Sequence, residues 1–444
     1  MWKRIIYLTI FFVLIAAGTN SVLAQTSSSD PIAICFAPGT PEETVVRAYA
    51  MAPWAQVPNS LGDPFDTFQL ASRWTGSATA SPLDGSSSSQ GDPIILTWSV
   101  VSDGTPIPGY NGEPANPSNL QAFLEGIYGA GNWLPVLQQV FDRWSVLTGI
   151  NYVYEPADDG VTLGPGTSGV IGVRGDVRLG GHYIDGGFGI LGYNFYPTVG
   201  DMVIDTGRTA PPSNSSWYDD TSQNSRGLRN VVAHEAGHGI GLFHVCPVDG
   251  SKLMEPFVNT GFDGPQHDDI RGSNRQYGDF FEDDDTPGTA ADLGLLGPTT
   301  TIGDLSIDDN SDIDFYAIGL AGGTSLDVTL SPVGFTYLEG PQISGSCTAG
   351  SSINTLPVHD LSVQILDIDG STVIASADIN PAGQPEGVTS VVLPSGAGFI
   401  EVAGSADDDI QLYELDLTTV ALPDFIFGDG FELGDTSVWS STKP

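Results

Sequence analysis

Three histidines and one glutamate lie within eleven consecutive residues, in the order His-Glu-Ala-Gly-His-Gly-Ile-Gly-Leu-Phe-His from His234 to His244. On a helix, His234 and His238 are four residues apart and project from the same face, where both imidazoles can bind one metal ion. Gly241 can adopt the left-handed conformation that ends a helix, so the chain can turn and bring His244 back as a third ligand. Glu235 is placed to accept a proton from water on the metal.

A metal held by three neutral imidazoles keeps an open coordination position for water, as catalytic zinc does and structural zinc does not. Zinc lowers the pKa of that water to about 7, so a carboxylate can remove its proton and the hydroxide can attack a carbonyl. A structural site would need a fourth protein ligand, and Cys246 is the nearest candidate. A side chain only two residues after His244 would need a sharp return of the chain. We therefore predict one catalytic zinc ion.

The surrounding sequence predicts the elements that hold these residues. Apolar residues recur at helical spacing over 134–147, which predicts an amphipathic helix ended by Gly149. A strand is predicted at 150–154, and a second helix at 228–240 carries the first two histidines. Strands and helices that alternate in this way indicate an α+β domain with the histidine helix at its centre.

The motif and its flanks resemble the matrixin-like metzincins, a family of zinc endopeptidases. Met254 follows the third histidine by ten residues and resembles the methionine of the metzincin Met-turn, which lies beneath the metal. The resemblance extends from Asp92 to Gly278 and implies a metzincin fold, in which a twisted sheet packs on the active-site helix. Further segments resemble, in family order, the first strand (91–99), the end of the first helix (140–149), the substrate-binding edge strand (190–197) and the closing helix (268–278).

The resemblance also implies which residues contact a substrate. The backbone of Gly192, Tyr193 and Asn194 would pair with an extended peptide by strand addition. Pro256 and Phe257 would line the pocket for the residue after the scissile bond, although Phe257 could equally be an ordinary core residue. Zinc would polarise the scissile carbonyl, and the glutamate of the motif would pass its proton to the leaving amine.

Two departures from the matrixin pattern concern further metal ions. Tyr193 and Val203 stand where matrixins have histidine ligands of a second, structural zinc, which we therefore predict to be absent. Asp185 and Asp205 match acidic ligands of the calcium loop of the family, whereas Arg208 replaces another. The Gly-rich stretch after Asp185 can equally be a surface turn that needs positive φ, so calcium at these two aspartates is left open.

The start of the chain has the layout of a cleaved secretory signal over residues 1–24, with a basic start, an apolar run at 5–17 and small residues before Gln25. The apolar run is shorter than the roughly 20 residues that a spanning helix needs, so we predict no transmembrane anchor in the mature chain. The protein is therefore expected to be secreted and extracellular. Residues 25–90 are rich in Ser, Pro and Gly and predict an N-terminal extension or prosegment with little core.

Three cysteines, Cys35, Cys246 and Cys347, remain in the exported chain. An oxidising compartment favours one disulfide and leaves one cysteine unpaired or paired between chains, but the sequence does not fix the pairing. Cys35 precedes the catalytic domain, so its thiolate could keep the enzyme latent by binding zinc, as the cysteine of matrixin propeptides does. Its surroundings, Ala-Ile-Cys-Phe-Ala-Pro-Gly, lack the full switch motif of that family.

The net charge is −40, with 54 acidic and 14 basic residues, and no Lys or Arg occurs between Arg275 and Lys443. A chain of this charge is not suited to the phosphate backbone, which excludes nucleic acid as a partner. The acidic half could bind calcium or could simply form a solvated surface. Added salt or calcium is expected to raise thermal stability because it screens the repulsion between carboxylates.

Residues 279–288 combine acidic residues with Pro and Gly and predict an acidic linker. Seven short segments rich in β-forming residues follow, which predicts an all-β sandwich at 289–422. Segments 285–294 and 312–318 resemble the bacterial pre-peptidase C-terminal domain, a jelly-roll-like appendage that implies secretion and surface or substrate binding. Residues 423–444 predict a C-terminal tail, which is a sorting or anchoring tag or a peripheral strand.

The sequence thus predicts a secreted zinc endopeptidase that hydrolyses peptide bonds of extracellular proteins, with residues 91–278 as its catalytic domain. The alternative is a secreted adhesin or binding protein whose β-sandwich is functional and whose metal domain is inert. The intact Glu235 disfavours this alternative, because decayed sites commonly lose the base while they keep the fold.

Overall fold

The computed structural model describes residues 32–51, 69–79, 89–186, 189–207, 218–343, 345–405 and 408–422. The predicted secretory signal, Arg208 and the predicted C-terminal tail lie outside these residues. No helix in the described part of the chain has the length and apolar character needed to span a membrane.

The first part of the described chain forms a mixed sheet flanked by helices. The helix predicted at 134–147 and the strand predicted at 150–154 are both present, the former two residues shorter than expected. In chain order the elements are β1 (Ile32–Phe36), α1 (Glu42–Met51), β2 (Ile94–Val100), β3 (Pro106–Ile107), β4 (Asn116–Pro117), α2 (Leu120–Tyr128), α3 (Leu134–Ser145), β5 (Ile150–Tyr154), β6 (Val177–His182), β7 (Ile190–Phe195), β8 (Met202–Asp205), α4 (Ser222–Gly239), β9 (Val245–Cys246) and α5 (His267–Tyr277).

The strand order of the main sheet is β1-β7-β8-β6-β2-β5. The pairs β2–β5, β2–β6 and β6–β8 are parallel, whereas β7 pairs antiparallel with both β8 and β1. The resemblance to matrixins predicted β7 as the edge strand that binds substrate. The predicted edge position is wrong for this structure, because β1 pairs along the outer side of β7.

Helices α3 and α4 pack against each other and against one face of this sheet. The apolar stripe that predicted α3 is buried there, and Phe141 stacks on Trp98 of β2 with ring centroids 4.2 Å apart. The indole N–H of Trp144 donates to the carbonyl of Ala233 at 3.1 Å, which ties α3 to the middle of α4. These buried aromatic contacts fix the position of α4, which carries the histidines, relative to the sheet.

Helix α4 ends where the sequence predicted a turn. Gly241 has a φ of +103°, a value that residues with a Cβ rarely adopt, so its predicted role as the turn residue is confirmed. A Cβ at this position would also meet the carbonyl oxygen of Ser72 at 2.6 Å. The chain can therefore leave the helix and return toward it within a few residues.

The segment 69–79 belongs to this core, although the sequence placed it in an extension with little core. Trp74 is buried, and its indole N–H donates to the carbonyl of Gly239 at 2.7 Å. Ala71 donates a backbone hydrogen bond to Gly241 at 2.6 Å, and Leu70 pairs with Leu242. The prediction failed because one buried Trp in a polar stretch carries no periodic signal.

The remainder of the described chain is made of strands. All seven strands predicted from the sequence overlap observed ones, whereas β10, β11, β14, β15 and β16 were not predicted. The bounds are β10 (Ala291–Leu295), β11 (Thr299–Ile307), β12 (Ile313–Gly319), β13 (Thr324–Val333), β14 (Thr336–Ile343), β15 (Ser346–Cys347), β16 (Ser351–Asn354), β17 (Ser362–Asp367), β18 (Val373–Ala377), β19 (Glu386–Val391), β20 (Ala397–Ala403) and β21 (Gln411–Ala421).

Two sheets of this C-terminal region share one hydrophobic core. Their strand orders are β10-β12-β20-β17-β18 and β11-β21-β13-β19, and apolar side chains from both sheets form a single buried cluster. A third, smaller sheet contains β14 with β15 and β16, and β14 also pairs with β9 of the preceding region. The disulfide between Cys246 and Cys347 joins β9 to β15 and settles the pairing that the sequence left open.

The acidic segment at the junction of the two regions differs from the solvated linker that the sequence predicted. Asp279 and Asp284 are both about 1% exposed. Two of its carboxylates therefore lie in the interior, whereas Asp283 and Asp285 are exposed.

Candidate metal centre

The three histidines of the motif converge on one point. The Nε2 atom of His238 lies 3.0 Å from that of His234 and 3.1 Å from that of His244, and the remaining Nε2 pair is 3.2 Å apart. Tetrahedral zinc with Zn–N bonds of about 2.0–2.1 Å places its ligand nitrogens roughly 3.3 Å apart. The predicted ligands are therefore brought together at a spacing that fits one zinc ion.

Backbone carbonyls fix the rings of the two histidines on α4. His234 Nδ1 donates to the carbonyl of Leu253 and His238 Nδ1 donates to that of Leu242, each at 2.7 Å. A carbonyl oxygen only accepts, so each Nδ1 carries the proton and each Nε2 keeps its lone pair for a metal. The turn after α4 supplies the second acceptor, because Leu242 directly follows the left-handed glycine.

The ring of His244 is held by a residue from the C-terminal region. Its Nδ1 donates to Oε1 of Gln342 on β14 at 2.8 Å, and the hydroxyl of Tyr49 on α1 lies 3.2 Å from the same nitrogen. The amide nitrogen of Gln342 donates to the carbonyl of Gly345 at 3.1 Å, which orients the amide oxygen toward the histidine. Sequence reasoning missed Gln342, since it lies 98 residues from His244 in a segment without a strand pattern.

The environment of the three histidines favours their neutral form. Burial lowers the pKa of His234 to about 3 and that of His244 to about 4, and burial together with the two neighbouring rings lowers the pKa of His238. Neutral imidazole is the form that binds a metal ion. Cys246, considered above as a fourth zinc ligand, is bound in a disulfide with Cys347. Among the described residues, the group of possible ligands at this point consists of the three histidines.

Glu235 is fully buried beside the histidines. Burial raises the pKa of its carboxyl to about 8, and a hydrogen bond with the thiol of Cys35 offsets part of this rise. No ion pair in the described part of the chain involves Glu235. A dication at the three imidazoles would supply the missing positive charge, which is a second reason that the site fits zinc.

Met254 lies against the helix that carries the first two ligands. A Cβ added at Gly237 would lie only 2.4 Å from the sulfur of Met254, so only glycine at position 237 leaves room for this sulfur. The carboxylate of Asp269 accepts the backbone N–H groups of Leu253 and Met254 at 2.8 and 2.9 Å and so fixes this turn. The structure thus places Met254 in a buried turn under α4, next to the carbonyl that orients His234.

The residues predicted to bind substrate are in contact with the N-terminal segment of the chain itself. Residues 192–194 of β7 pair antiparallel with residues 33–35 of β1, with Cys35 opposite Gly192. On the other side, Phe36 donates to the carbonyl of Pro256 at 3.1 Å and accepts from the N–H of Val258 at 3.0 Å. An extended segment therefore lies in the groove between β7 and residues 256–258.

Phe257 forms part of the wall of this groove. Its ring centroid lies 6.2 Å from that of Phe36, and the two residues pair in parallel register. Phe257 is only partly buried and packs on the cluster that contains Phe36. It therefore contacts the occupant of the groove, and its role in binding a substrate stays a prediction.

The two aspartates predicted as calcium ligands are bound to their own loops. Asp185 accepts from the backbone of Ile190 at 3.1 Å. Asp205 accepts three backbone N–H groups at 2.8–2.9 Å, from Ile184, Gly186 and Gly207. These contacts explain how the loops are held, and calcium at these residues stays a prediction.

Comparison with known families agrees with the geometry of this centre. Residues 136–278 match the model of the matrixin peptidases, Peptidase M10. This segment, which is less than half of the chain, contains most of α3, all of α4 with the histidine motif, and α5. No curated protein matches the chain.

Proposed function

We propose that this protein is a secreted zinc endopeptidase of matrixin type that hydrolyses peptide bonds of extracellular proteins. The observation that carries the proposal is the convergence of three Nε2 atoms within 3.2 Å of one another, beside the buried Glu235. The matrixin match of residues 136–278 supports a metallopeptidase. Bound zinc would polarise the scissile carbonyl and acidify a water molecule.

Residues around the metal have separate roles in the proposed reaction. Glu235 takes the proton of the attacking water and then passes it to the leaving amine nitrogen. The carbonyls of Leu242 and Leu253 and the amide of Gln342 keep the three imidazoles in the tautomer that presents Nε2. Met254 supports the helix from below.

The groove beside the metal centre is proposed as the substrate site. The backbone of Gly192 to Asn194 pairs with an extended peptide, and Pro256 with Phe257 lines the pocket after the scissile bond. The fit of β1 between these two segments supports the assignment, because β1 is itself an extended peptide with hydrogen bonds to both.

The same contacts suggest that the described form is latent. Residues 32–51 occupy the groove, and Cys35 and Tyr49 approach Glu235 and His244. The three histidines and the glutamate are at most 5% exposed, so a substrate can reach them only after this segment leaves. We infer that latency rests mainly on occupation of the groove by β1 and α1.

The deciding experiment measures zinc and proteolysis together. The secreted protein, after cleavage between residues 52 and 68, should contain one zinc ion per chain and digest casein. A zinc chelator should abolish digestion, and added zinc should restore it. A chain without stoichiometric metal, or digestion that is indifferent to the chelator, would contradict the proposal.

The adhesin alternative requires the C-terminal region to act without the metal domain. Gln342 argues against this separation, because a residue of that region orients a proposed zinc ligand. We infer that the two sheets of this region form a jelly-roll-like sandwich attached to the peptidase. Secretion through residues 1–24 and association with the cell surface through the C-terminal region are predictions from the sequence.

A further inference from the structure

A group of carboxylates lies where the segment after α5 meets the loop between β11 and β12. One oxygen each of Glu282, Asp308 and Asp312 lies within 4.8 Å of the others, and the same holds for Glu282, Asp284 and Asp314. Glu282 belongs to both sets. The whole group, called the junction cluster below, consists of Asp279, Glu282, Asp284, Asp285, Asp308, Asp312 and Asp314.

Several buried oxygens of the junction cluster have no hydrogen-bond partner. These are Oδ2 of Asp284, Oδ1 of Asp312 and Oδ1 of Asp314, on residues that are between 1% and 9% exposed. The other oxygen of Asp312 accepts from the N–H of Asp308 at 2.6 Å, and the other oxygen of Asp314 accepts from the hydroxyl of Tyr413. Buried acceptors are normally satisfied, so unsatisfied oxygens in one cluster indicate a missing partner.

Among the described residues, Arg73 interacts electrostatically with Asp308, but no cation forms an ion pair with the cluster. No ion pair in the described part of the chain connects Lys, Arg or His with any of its members. Burial and repulsion from neighbouring carboxylates raise the pKa of Asp284 to about 9, and burial raises the pKa of Asp279 to about 6. Carboxylates held so close together repel one another unless a cation lies between them.

We propose that the junction cluster binds Ca²⁺. Its ligands are carboxylate oxygens only, which suit a hard cation, whereas zinc prefers nitrogen and sulfur. The ligands come from an irregular segment, a loop and the start of β12, and calcium tolerates the irregular geometry that magnesium does not. Because both ligand sets include Glu282, the cluster has room for one ion or for a pair that shares this carboxylate.

The position of the cluster indicates what the ion would hold together. Asp279 lies two residues after the end of α5 and accepts from the backbone N–H of Ser306 on β11 at 2.8 Å. A Cβ at Gly91, just before β2, would lie 2.3 Å from Oδ2 of Asp308, so the cluster also touches the start of the peptidase region. Calcium here would join the peptidase region to the C-terminal sheets. The site is separate from Asp185 and Asp205 and does not depend on the proposed function.

The test uses the full secreted chain with zinc present and CaCl₂ as the probe. We expect saturable binding of one or two Ca²⁺ by calorimetry, and a rise in Tm of roughly 3–6 °C near saturation. MgCl₂ at the same concentration, and NaCl at the same ionic strength, should raise Tm less. Absence of saturable binding, or a rise that NaCl reproduces, would overturn the proposal.

Two variants locate the ion. Asp284→Asn and Asp314→Asn should each weaken Ca²⁺ binding by about tenfold or more, because each removes one charged ligand. Asp378→Asn removes one charge from an exposed position of the same region and should bind Ca²⁺ as the unmodified chain does.

The same variants separate loss of the site from loss of the fold. Without calcium they should melt at or near the temperature of the unmodified chain, since each replaces a crowded buried carboxyl with a neutral group of the same shape. A lower Tm without calcium together with full calcium binding would contradict the proposal, as would unchanged affinity in both variants.

Discussion

The amide oxygen of Gln342 lies 2.8 Å from Nδ1 of His244, so the C-terminal region supports the third ligand of the proposed zinc site. Pairing of β14 with β9 and the disulfide between Cys246 and Cys347 hold this contact in place. The ligand and its support are thus anchored to the same pair of strands.

Replacement of Gln342 should therefore weaken zinc binding. Gln342→Ala removes the acceptor for the ring N–H of His244, and loss of such a partner typically costs about 10–100-fold in metal affinity. The measurement is zinc competition against a chelator of known affinity. Gln342→Glu keeps an acceptor oxygen and should retain most of the affinity, and Gln384→Ala at an exposed position serves as the control. Equal zinc affinity in Gln342→Ala and the control would show that the contact is dispensable.

Loss of the disulfide should destabilise the protein and loosen the zinc site. Cys246 and Cys347 are 101 residues apart, and removal of a disulfide that closes a loop of this length costs about 2–5 kcal/mol. The double variant Cys246→Ser/Cys347→Ser should unfold at lower denaturant concentration and lose zinc faster to a chelator. If the double variant loses zinc at the original rate, the pairing of β9 with β14 is enough to hold the zinc site.

Cleavage between residues 52 and 68 should activate the enzyme. It allows residues 32–51 to leave the groove, so peptidase activity should rise by about tenfold or more once the segment is separated from the chain. Cys35→Ser in the uncut chain distinguishes latency caused by occupation of the groove from latency caused by the Cys35 thiol. If occupation of the groove causes latency, this variant stays inactive. If the thiol alone causes it, the uncut variant becomes active.

Truncation as far as residue 90 should have a different effect. It removes Trp74, which is buried in the peptidase core and bonded to Gly239. Loss of a buried Trp costs about 3–5 kcal/mol, so this shorter chain should be far less stable than the chain cut before residue 69. Thermal denaturation of the two truncated chains makes the comparison, and equal Tm values would refute the role of Trp74.

Glu235→Gln should retain zinc and lose activity. The amide cannot accept the proton of the attacking water, and loss of a general base lowers the rate by about 10²–10⁴-fold. Zinc content by atomic absorption and the rate of peptide cleavage on the activated chain are the two measurements. Proteolysis at the original rate in the zinc-loaded variant would refute the assignment.

His267 should make the protein sensitive to acid. Burial, with a smaller effect of Arg271, lowers its pKa to about 4, against about 6.5 in an unfolded chain. The folded state therefore binds fewer protons between these values, so stability is complete above pH 6.5 and falls as the pH is lowered to 4. His267→Gln should flatten this part of the curve of unfolding free energy against pH. Parallel curves for the two proteins would exclude His267 as the cause.

The proposed zinc ligands could be predicted because their geometry is local. Helical periodicity places His234 and His238 on one face, and a glycine with positive φ returns the chain to His244. Helix α3 and β5 were predicted for the same reason, since their pattern repeats over neighbouring residues. Strands such as β14, interrupted by Gly340 and Pro341, lack such a pattern and were missed.

Tertiary structure alone decided what surrounds that motif. The contact of Gln342 with His244, the disulfide partner of Cys246, the burial of Trp74 and the insertion of β1 into the groove all join segments that are distant in sequence. Such contacts depend on how sheets and helices pack, and no spacing rule along the chain encodes them. The acidic segment shows the same limit, because its composition predicts solvated charge and only packing reveals that Asp279 and Asp284 are buried.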